Sequence, residues 1–352
     1  MNFLDVWEHP ELFKDFDFSE LDIKIKQIQS LRKENDLYHK VIKELNNRID
    51  IDFIKESELI EGEKNYALRN IVYDENCEDL YETDIFKKVK NAKIDDFFFG
   101  NFRTILKNGR LEIYRKDPQT GTIYQYKSGM PTHLKALKDA LDSARKEQLS
   151  ISNGSKVDIK SSFIEKLHEE LFKRFIEINL RVNKIPGGPP IKPAGYGEFR
   201  ETIYINNNEH KYNVEVDGAG WTPTDSNDVR KEMEKLLNYY NNSTLHPILK
   251  AIIFKACFIR IHPFRDGNRR LSRILLNYMF VREGYPTIRI RGTHKEEYFN
   301  ALDTAIINND YTALVEMVKN EINQRCDQYL SLFDKLELQA DLEDLNNIEL
   351  SR

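Results

Sequence analysis

The chain has 352 residues, and 53 Lys and Arg stand against 58 Asp and Glu, so its formal net charge is -5. This balance gives no overall positive field to attract nucleic acid or an anionic membrane surface, and the first residues lack the basic flank and apolar run of a signal peptide. The three cysteines lie far apart, without the paired spacing of a disulfide framework or a zinc site. We therefore expect a cytoplasmic globular protein for which neither a membrane nor nucleic acid is a partner.

The N-terminal part of the chain has helical periodicity. Apolar residues recur at steps of three or four between Leu21 and Leu45, with one gap of six, which predicts an amphipathic helix over 18–48. A second helix is predicted from Ile51 to about Leu59, ahead of Gly62, which suits a left-handed cap.

Two short segments have the composition of β-hairpins. The runs 111–114 and 122–126 are rich in β-branched and aromatic residues and flank a turn that contains Pro118 and Gly121. Further on, 202–205 and 212–216 are predicted to pair around the asparagines at 206–208.

Most of the remaining sequence predicts helices. Their expected bounds are 131–148, 160–180, 226–242, 246–261, 268–282, 294–308 and 310–335. The expected fold is mainly α, a helical core with short β additions.

One segment, from His262 to Arg273, concentrates residues suited to phosphate chemistry. It reads HPFRDGNRRLSR, and it follows a buried helix that Pro263 prevents from continuing. A new helix should begin near Asn268, and Gly267 and Asn268 tolerate the backbone angles that turn N–H groups toward an anion at its start. Arg270 and Arg273, three residues apart, suit the further phosphates of a polyphosphate.

Two other side chains of this segment have distinct expected roles. Asp266 is a candidate ligand for Mg²⁺, which commonly takes one or two protein carboxylates and completes its shell with phosphate and water. His262 is the candidate general base, because its unperturbed pKa is close to neutral pH.

The segment resembles the signature of the Fic family. That signature is a histidine, any residue, phenylalanine, any residue, an acidic residue, Gly-Asn-Gly-Arg, two residues and an arginine. The resemblance extends over roughly residues 160–320 and implies a Fic-fold helical core that transfers AMP from ATP to a Tyr, Ser or Thr hydroxyl of a target protein. It implies a base role for His262 and a buried anchor for Phe264.

The resemblance also assigns the nucleotide contacts. Asp266 would bind Mg²⁺, Gly267 and Asn268 would hold the α-phosphate, and Arg270 and Arg273 would hold the β- and γ-phosphates.

The chain departs from the signature at Arg269, where the family has glycine. A minor branch that resembles the Doc toxins carries lysine there and transfers the terminal phosphate from a reversed nucleotide. That branch lacks the Asp266–Gly267 pair and Arg273, so AMP transfer is the favoured prediction. A Doc-like kinase, a transferase of another nucleotide, and a nucleotide-binding regulator with little catalysis remain alternatives.

The flanking segments fit the same resemblance. Residues 200–216 resemble the target-docking flap, a β-hairpin on which Ile205 would face the nucleotide. Tyr298 and Phe299 lie in the helix that usually walls the adenine pocket.

A second motif lies far upstream, at Ser57 to Gly62. It resembles the inhibitory motif of the family, a Ser or Thr, three residues, a glutamate, then Gly or Asn. The resemblance implies that Glu61 pairs with Arg273 and keeps it from the γ-phosphate.

These assignments divide the chain into four expected regions. They are an N-terminal helical region over 1–77 with an inhibitory helix at about 51–62, an insertion with a β-hairpin over 78–150, the Fic domain over 151–320, and a C-terminal helix and tail over 321–352. Self-modification and a homo-oligomer are left open.

Overall fold

The computed structural model describes most of the second half of the chain and parts of the first. The described residues are 3–34, 53, 56–57, 71–73, 86–88, 102–107, 110–116, 123–126, 132–155, 157–182, 194–205, 208–216 and 218–350. The predicted lead-in helix beyond residue 34 falls outside this set, as do Glu61, Gly62 and the hairpin turn at Pro118.

Eight α-helices are described, and they make the protein mainly helical, as predicted. They are α1 (Ser19–Glu34), α2 (Thr132–Ser152), α3 (Ser161–Val182), α4 (Val229–Asn242), α5 (Pro247–Ile261), α6 (Asn268–Arg282), α7 (Lys295–Asn308) and α8 (Thr312–Leu350). Short 3₁₀ helices span Asp5–Glu8, Pro10–Phe13 and Gly292–His294.

Helix α5 lies at the centre of the core. Its described side chains are almost all buried, including those of Ile248, Ile252, Phe254 and Phe258. A helix that is apolar around its whole circumference is stable in water only when neighbours cover every face, and α4, α6 and α7 pack against it. Because α5 is enclosed in this way, its C-terminal end has a fixed position.

Helix α2 packs against α6 and α3. Its apolar stripe of Ala136, Leu137, Ala140, Leu141 and Ala144 is fully buried. Although α2 falls in the region predicted to be an insertion, it therefore contributes to the helical core that supports the motif helix.

The short strands among the described residues form two sheets. The larger has the order β1 (Ile71–Tyr73), β3 (Phe102–Lys107), β4 (Arg110–Lys116), β5 (Ile123–Tyr126), β2 (Phe86–Lys88), with β1 and β3 parallel and the other pairs antiparallel. Strands β1, β2 and β3 were not predicted.

The smaller sheet is a hairpin of β6 (Ile203–Ile205) and β7 (Asn208–His210), in which Ile205 opposes Asn208. This register leaves two asparagines between the strands, the loop length that hairpins use most often. The predicted return strand at 212–216 is wrong. That segment has no regular structure, because Asn213 instead bonds Asp225 through its amide nitrogen at 2.9 Å and accepts the backbone N–H of Ser226 at 2.8 Å.

The C-terminal prediction was also incorrect. Instead of a helix that ends at 335 and a tail, α8 continues from Thr312 to Leu350. Leu, Glu and Gln, which recur in this stretch, are strong helix formers. None of the helices that the structure describes could span a bilayer, given their length and polarity.

The N-terminal helix α1 lies against α8 and the loops below the motif helix. The Asp22 carboxylate accepts the hydroxyl of Tyr285 at 2.6 Å and lies 3.3 Å from His246 Nε2. Lys24 donates to Asn323 and Asp327 of α8. These contacts join the start of the chain to the core from which the site is built.

Candidate active site

The site is organised around the abrupt end of α5. His262 follows the last helical residue and has φ 54° and ψ 59°, in the left-handed region. Its backbone N–H closes the helix by donating to the Phe258 carbonyl at 2.9 Å. Pro263 cannot continue the helix, so the chain turns away and carries the imidazole with it.

One hydrogen bond determines the tautomer of His262. Nδ1 lies 3.2 Å from the Ile259 carbonyl oxygen, and a carbonyl oxygen can only accept, so Nδ1 carries the proton and Nε2 has a lone pair. Burial lowers the pKa of the imidazole from 6.5 to about 4; the charges of Arg200 and Arg269 act in the same direction, against the hydrogen bond to Ile259. The ring is therefore neutral at pH 7 and can accept a proton at Nε2.

The loop after His262 is closed by the Asn268 side chain. Its amide oxygen accepts the Phe264 backbone N–H at 2.9 Å, and its amide nitrogen donates to the Phe264 carbonyl at 2.8 Å. The Phe264 ring is fully buried and stacks on His168, with centroids 3.7 Å apart. The Asn268 side chain thus holds the loop closed, and what it offers to an anion is its backbone N–H at the start of α6.

His168, on α3, also holds the motif loop in place. Its Nε2 donates to the Asp266 carbonyl at 2.9 Å, and its Nδ1 accepts the Gly197 N–H at 2.8 Å. A single neutral tautomer satisfies both bonds. The side chain therefore joins the motif loop to the segment that enters the hairpin.

Gly267 caps the N-terminus of α6 in the left-handed region, with φ 75°. A Cβ at this position would lie 2.3 Å from the Phe172 ring, so the close approach and the backbone angle both require glycine. The first N–H groups of a helix have no carbonyl partner within it, so the N-terminal end of α6, the mouth of the site, favours an anion.

Asp266 lies at this mouth. Its side chain is 57% exposed, one oxygen accepts the Gly267 N–H at 2.5 Å, and the other is 3.8 Å from Arg270. Among the described residues, no group of three or more His, Cys, Asp or Glu could hold a metal by protein ligands alone. A single exposed carboxylate beside an anion site does fit Mg²⁺ that is held mainly by phosphate and water.

The three arginines in the first two turns of α6 point in different directions. The Arg269 guanidinium lies 4.7 Å above the Phe299 ring, and that of Arg270 lies 5.3 Å above the Phe172 ring. Arg273 is 2% exposed and donates from Nε to the Ser57 hydroxyl at 2.9 Å and from Nη2 to the Ser57 carbonyl at 3.2 Å.

The segment around Ser57 thus reaches the motif helix, although 216 residues separate Ser57 from Arg273. Phe53, Glu56 and Ser57 are helical, and Phe53 and Ser57 are buried. The Glu56 carboxylate accepts the Gly292 N–H at 2.6 Å, just before α7. Glu61 and Gly62 lie outside the described residues, so their regulatory role stays a prediction.

The wall formed by α7 has one buried and one accessible aromatic ring. Tyr298 is 1% exposed, and the Lys255 ammonium lies 5.3 Å from its ring. Phe299 is partly buried and has cations near it, Arg269 and, at 5.9 Å, Lys295. Of the two, Phe299 offers a surface to a ligand. Ile205 ends strand β6, where the hairpin turns.

Three buried side chains that shape the site were not predicted. They are His168, Arg200 and Lys255, each no more than 1% exposed. Lys255 donates to the Ser272 hydroxyl at 3.1 Å, and Ser272 donates to the Arg269 carbonyl at 2.8 Å. The positions of these three residues in the sequence do not distinguish them from polar residues that are exposed. For Arg200, its place just before the hairpin was the one available signal.

The helical fold and the motif loop have counterparts in a known protein family. Residues 158–280 match the family model described as the Fic/DOC family. These residues therefore form a Fic domain, and the family prediction made from the motif is confirmed for this part of the chain.

Curated relatives agree with this assignment. The protein adenylyltransferase Fic of Drosophila grimshawi is 29% identical over 176 residues, which are 49% of this chain and 32% of the relative. The protein of the same name from Culex quinquefasciatus is 28% identical over 173 residues, 49% of this chain and 31% of the relative. The matched region is thus about a third of the length of these relatives.

A solved structure supports the fold. A Fic domain containing signaling protein from Bacteroides thetaiotaomicron aligns with a TM-score of 0.51 at 19% identity, over 89% of this chain and 97% of that one. At this identity the likeness supports the fold alone.

Proposed function

We propose that this chain is a protein adenylyltransferase that transfers AMP from ATP to a Tyr, Ser or Thr hydroxyl of a target protein. The observation that carries the proposal is a neutral histidine with a lone pair on Nε2, which lies five residues before the glycine cap of the α6 N-terminus. The names of the relatives support the choice of AMP as the transferred group.

His262 acts as the general base of this reaction. The target hydroxyl gives its proton to Nε2 while its oxygen forms a bond to the α-phosphorus of ATP. The bond between that phosphorus and the bridging oxygen to the β-phosphate breaks, and pyrophosphate leaves. The Ile259 carbonyl stabilises the resulting imidazolium through Nδ1–H, much as the third member of a catalytic triad does.

The N-terminus of α6 binds the phosphates. Its backbone N–H groups and the positive end of the helix act on the α-phosphate, and Arg270 and Arg273 act on the terminal phosphates. Mg²⁺, held by Asp266, would neutralise charge on the leaving pyrophosphate. Because Arg270 lies 3.8 Å from Asp266, we expect the phosphates and Mg²⁺ to bind next to this pair of side chains.

The position of Arg269 favours AMP transfer over the kinase alternative. Its guanidinium lies over Phe299 on α7, the helix predicted to form the wall of the adenine pocket. An arginine held there would contact the adenine end of ATP and would leave the α6 N-terminus to the phosphates. We therefore place Arg269 among the residues that contact the nucleotide without reversing its orientation.

Restraint of this activity by the N-terminal segment is part of the proposal. Arg273 donates two hydrogen bonds to Ser57, and a guanidinium that is held by protein acceptors binds a γ-phosphate less well. Glu61 would add a charge-assisted pair to the same guanidinium. Release of the segment then gives Arg273 to ATP.

Target docking on the hairpin of β6 and β7 completes the proposal. In the described residues these two strands pair only with each other. An open strand edge can bind an extended target segment by main-chain hydrogen bonds. A target held there presents its hydroxyl to His262, and a segment of this chain itself could serve as the target.

The test is mass spectrometry of protein incubated with ATP and Mg²⁺. The Glu61→Gly protein should acquire AMP on a Tyr, Ser or Thr, either on itself or on proteins of an added nucleotide-depleted lysate. Glu61→Gly combined with His262→Ala should acquire none. Added phosphate would show a kinase instead, and the absence of any adduct would support a regulator without catalysis.

A further inference from the structure

Arg200 is the largest fully buried side chain of the described residues, with 0% exposure. Burial lowers the pKa of its guanidinium to about 10, while Asp225 acts in the opposite direction, so it remains a cation at neutral pH. A buried cation has a large desolvation cost unless its donors are satisfied. The acceptors of Arg200 are therefore informative.

All of the hydrogen-bond acceptors of this side chain are backbone carbonyls, and they belong to three separate segments. Nε donates to the His262 carbonyl at 2.7 Å, and Nη2 donates to the Ile261 carbonyl at 3.1 Å. Nη1 donates to the Tyr212 carbonyl at 3.2 Å, and Nη2 also donates to that of Thr224.

Two of these carbonyls belong to the end of α5. The last carbonyls of a helix lack partners within it and carry partial negative charge. At this helix end, His262 satisfies the carbonyls of Phe258 and Ile259 through its own backbone N–H and Nδ1, and Arg200 satisfies those of Ile261 and His262. The backbone N–H of Arg200 continues the pattern, because it donates to the Pro263 carbonyl at 2.8 Å. The left-handed turn at His262 is thus held on both sides.

The remaining contacts connect this turn to the hairpin. Arg200 precedes strand β6, and Tyr212 follows strand β7. One guanidinium therefore ties both ends of the hairpin segment to the main chain of His262. A backbone hydrogen bond from the Arg265 N–H to the Gly195 carbonyl, at 3.2 Å, also joins the motif loop to the segment before the hairpin.

We propose that Arg200 is the positioning residue of the site, which holds the His262 backbone in its left-handed turn and couples the hairpin to the base. The proposal rests on the proposed function, in which His262 is the base. The hydrogen bonds of Arg200 do not reach Gly267 or the N-terminus of α6. We therefore expect its replacement to slow the chemical step and to leave ATP binding unchanged.

The test replaces Arg200 with lysine in the Glu61→Gly background. Lysine keeps the charge, but its single ammonium cannot replace a planar fork that reaches carbonyls of three segments. A base displaced by about 1 Å can lose about 100-fold in rate. We expect AMP transfer, measured by mass spectrometry, to slow about 100-fold while ATP affinity, measured by calorimetry, stays within about twofold.

The matched control is Arg282→Lys in the same background. Arg282 is also a buried arginine, at 4% exposure, but it binds Tyr278 and the Val157 carbonyl, away from the motif loop. It tests whether the loss of any buried guanidinium lowers the rate. A rate for Arg200→Lys within about threefold of that for Arg282→Lys would overturn the proposal.

A second measurement does not depend on turnover or on a stable variant. The protein with its native Arg200 and Glu61 is labelled with ¹⁵N and studied by NMR. The Nε–H of Arg200 should exchange slowly with solvent, and the His262 ring should show the Nδ1–H tautomer. An Nε–H that exchanges as fast as that of an exposed arginine would overturn the proposal. If Glu61→Gly transfers no AMP but these signals are as expected, the proposed function fails, while the hold of Arg200 on the His262 backbone stands.

Discussion

Replacement of Gly267 by alanine should destabilise the protein and weaken its binding of ATP. The added Cβ would lie 2.3 Å from Phe172 Cε2 and 2.8 Å from Cζ. The ring cannot simply move away, because it stacks on His168 at 4.7 Å, meets Tyr196 edge-on at 5.1 Å and lies under Arg270. Left-handed backbone costs alanine about 1–2 kcal/mol, and an overpacked contact costs about 1–3 kcal/mol more. We expect a total loss of about 2–5 kcal/mol.

Gly154→Ala provides the matched control. Gly154 has φ 81°, close to that of Gly267, but an added Cβ there would have nothing within 4 Å. This substitution should lower the free energy of unfolding only by the cost of the left-handed backbone, about 1–2 kcal/mol. Urea denaturation measures both losses of unfolding free energy, and calorimetry with ATP and Mg²⁺ should show weaker binding for Gly267→Ala only. Equal losses for the two variants would refute the close contact between α3 and the start of α6.

Three further predictions concern other groups. The pKa of His262 is about 4 in the folded protein and 6.5 in the unfolded chain. Between these pH values the unfolded chain binds more protons, so the free energy of unfolding should fall as the pH drops from about 6.5 to about 4. His262→Asn should reduce this fall, and an identical pH dependence of the two proteins in urea denaturation would contradict the prediction. Ser57→Ala removes an acceptor of Arg273, and with about 1 kcal/mol per hydrogen bond ATP should bind about fivefold more tightly by calorimetry; unchanged or weaker binding would argue against restraint by this segment. Burial raises the pKa of the Cys257 thiol to about 12, so a thiol reagent at pH 8 should label it, as seen by peptide mass spectrometry, only after denaturation; rapid labelling of the folded protein would contradict its burial.

The sequence predicted the helices well because their signal is local. Apolar residues at steps of three or four placed α5 and α6 within a residue of their observed bounds, and Pro263 with Gly267 marked the break between them. The end of α8 was placed too early, because an acidic composition resembles a tail even where its residues favour helix.

The strands were harder to predict, because their pairing joins distant residues. Strands β1 and β3 pair in parallel across some thirty residues, and three-residue strands such as β1 and β2 carry too little pattern to detect. The segment 212–216 alternates apolar and polar residues as a strand does, yet contacts of Asn213 and of the Tyr212 carbonyl prevent it from continuing the hairpin.

The candidate site was inferred from one contiguous motif, and its functional roles stay predictions. His262, Asp266 and Gly267 lie at the junction of α5 and α6, but the side chains that support them do not lie in the motif. Arg200 acts through backbone carbonyls, and neither its burial nor its partners could be read from spacing. The contact between Arg273 and Ser57 was not predicted, because the resemblance named Glu61 as the partner of Arg273.

The measurement that tests the proposed function most directly is the transfer of label from ATP. Protein carrying Glu61→Gly is incubated with Mg²⁺ and ATP labelled either at the α-phosphate or at the γ-phosphate. AMP transfer predicts protein-bound label from the α-phosphate alone, and its loss in the His262→Ala double variant. Label from the γ-phosphate, or α-label that persists without His262, would contradict it.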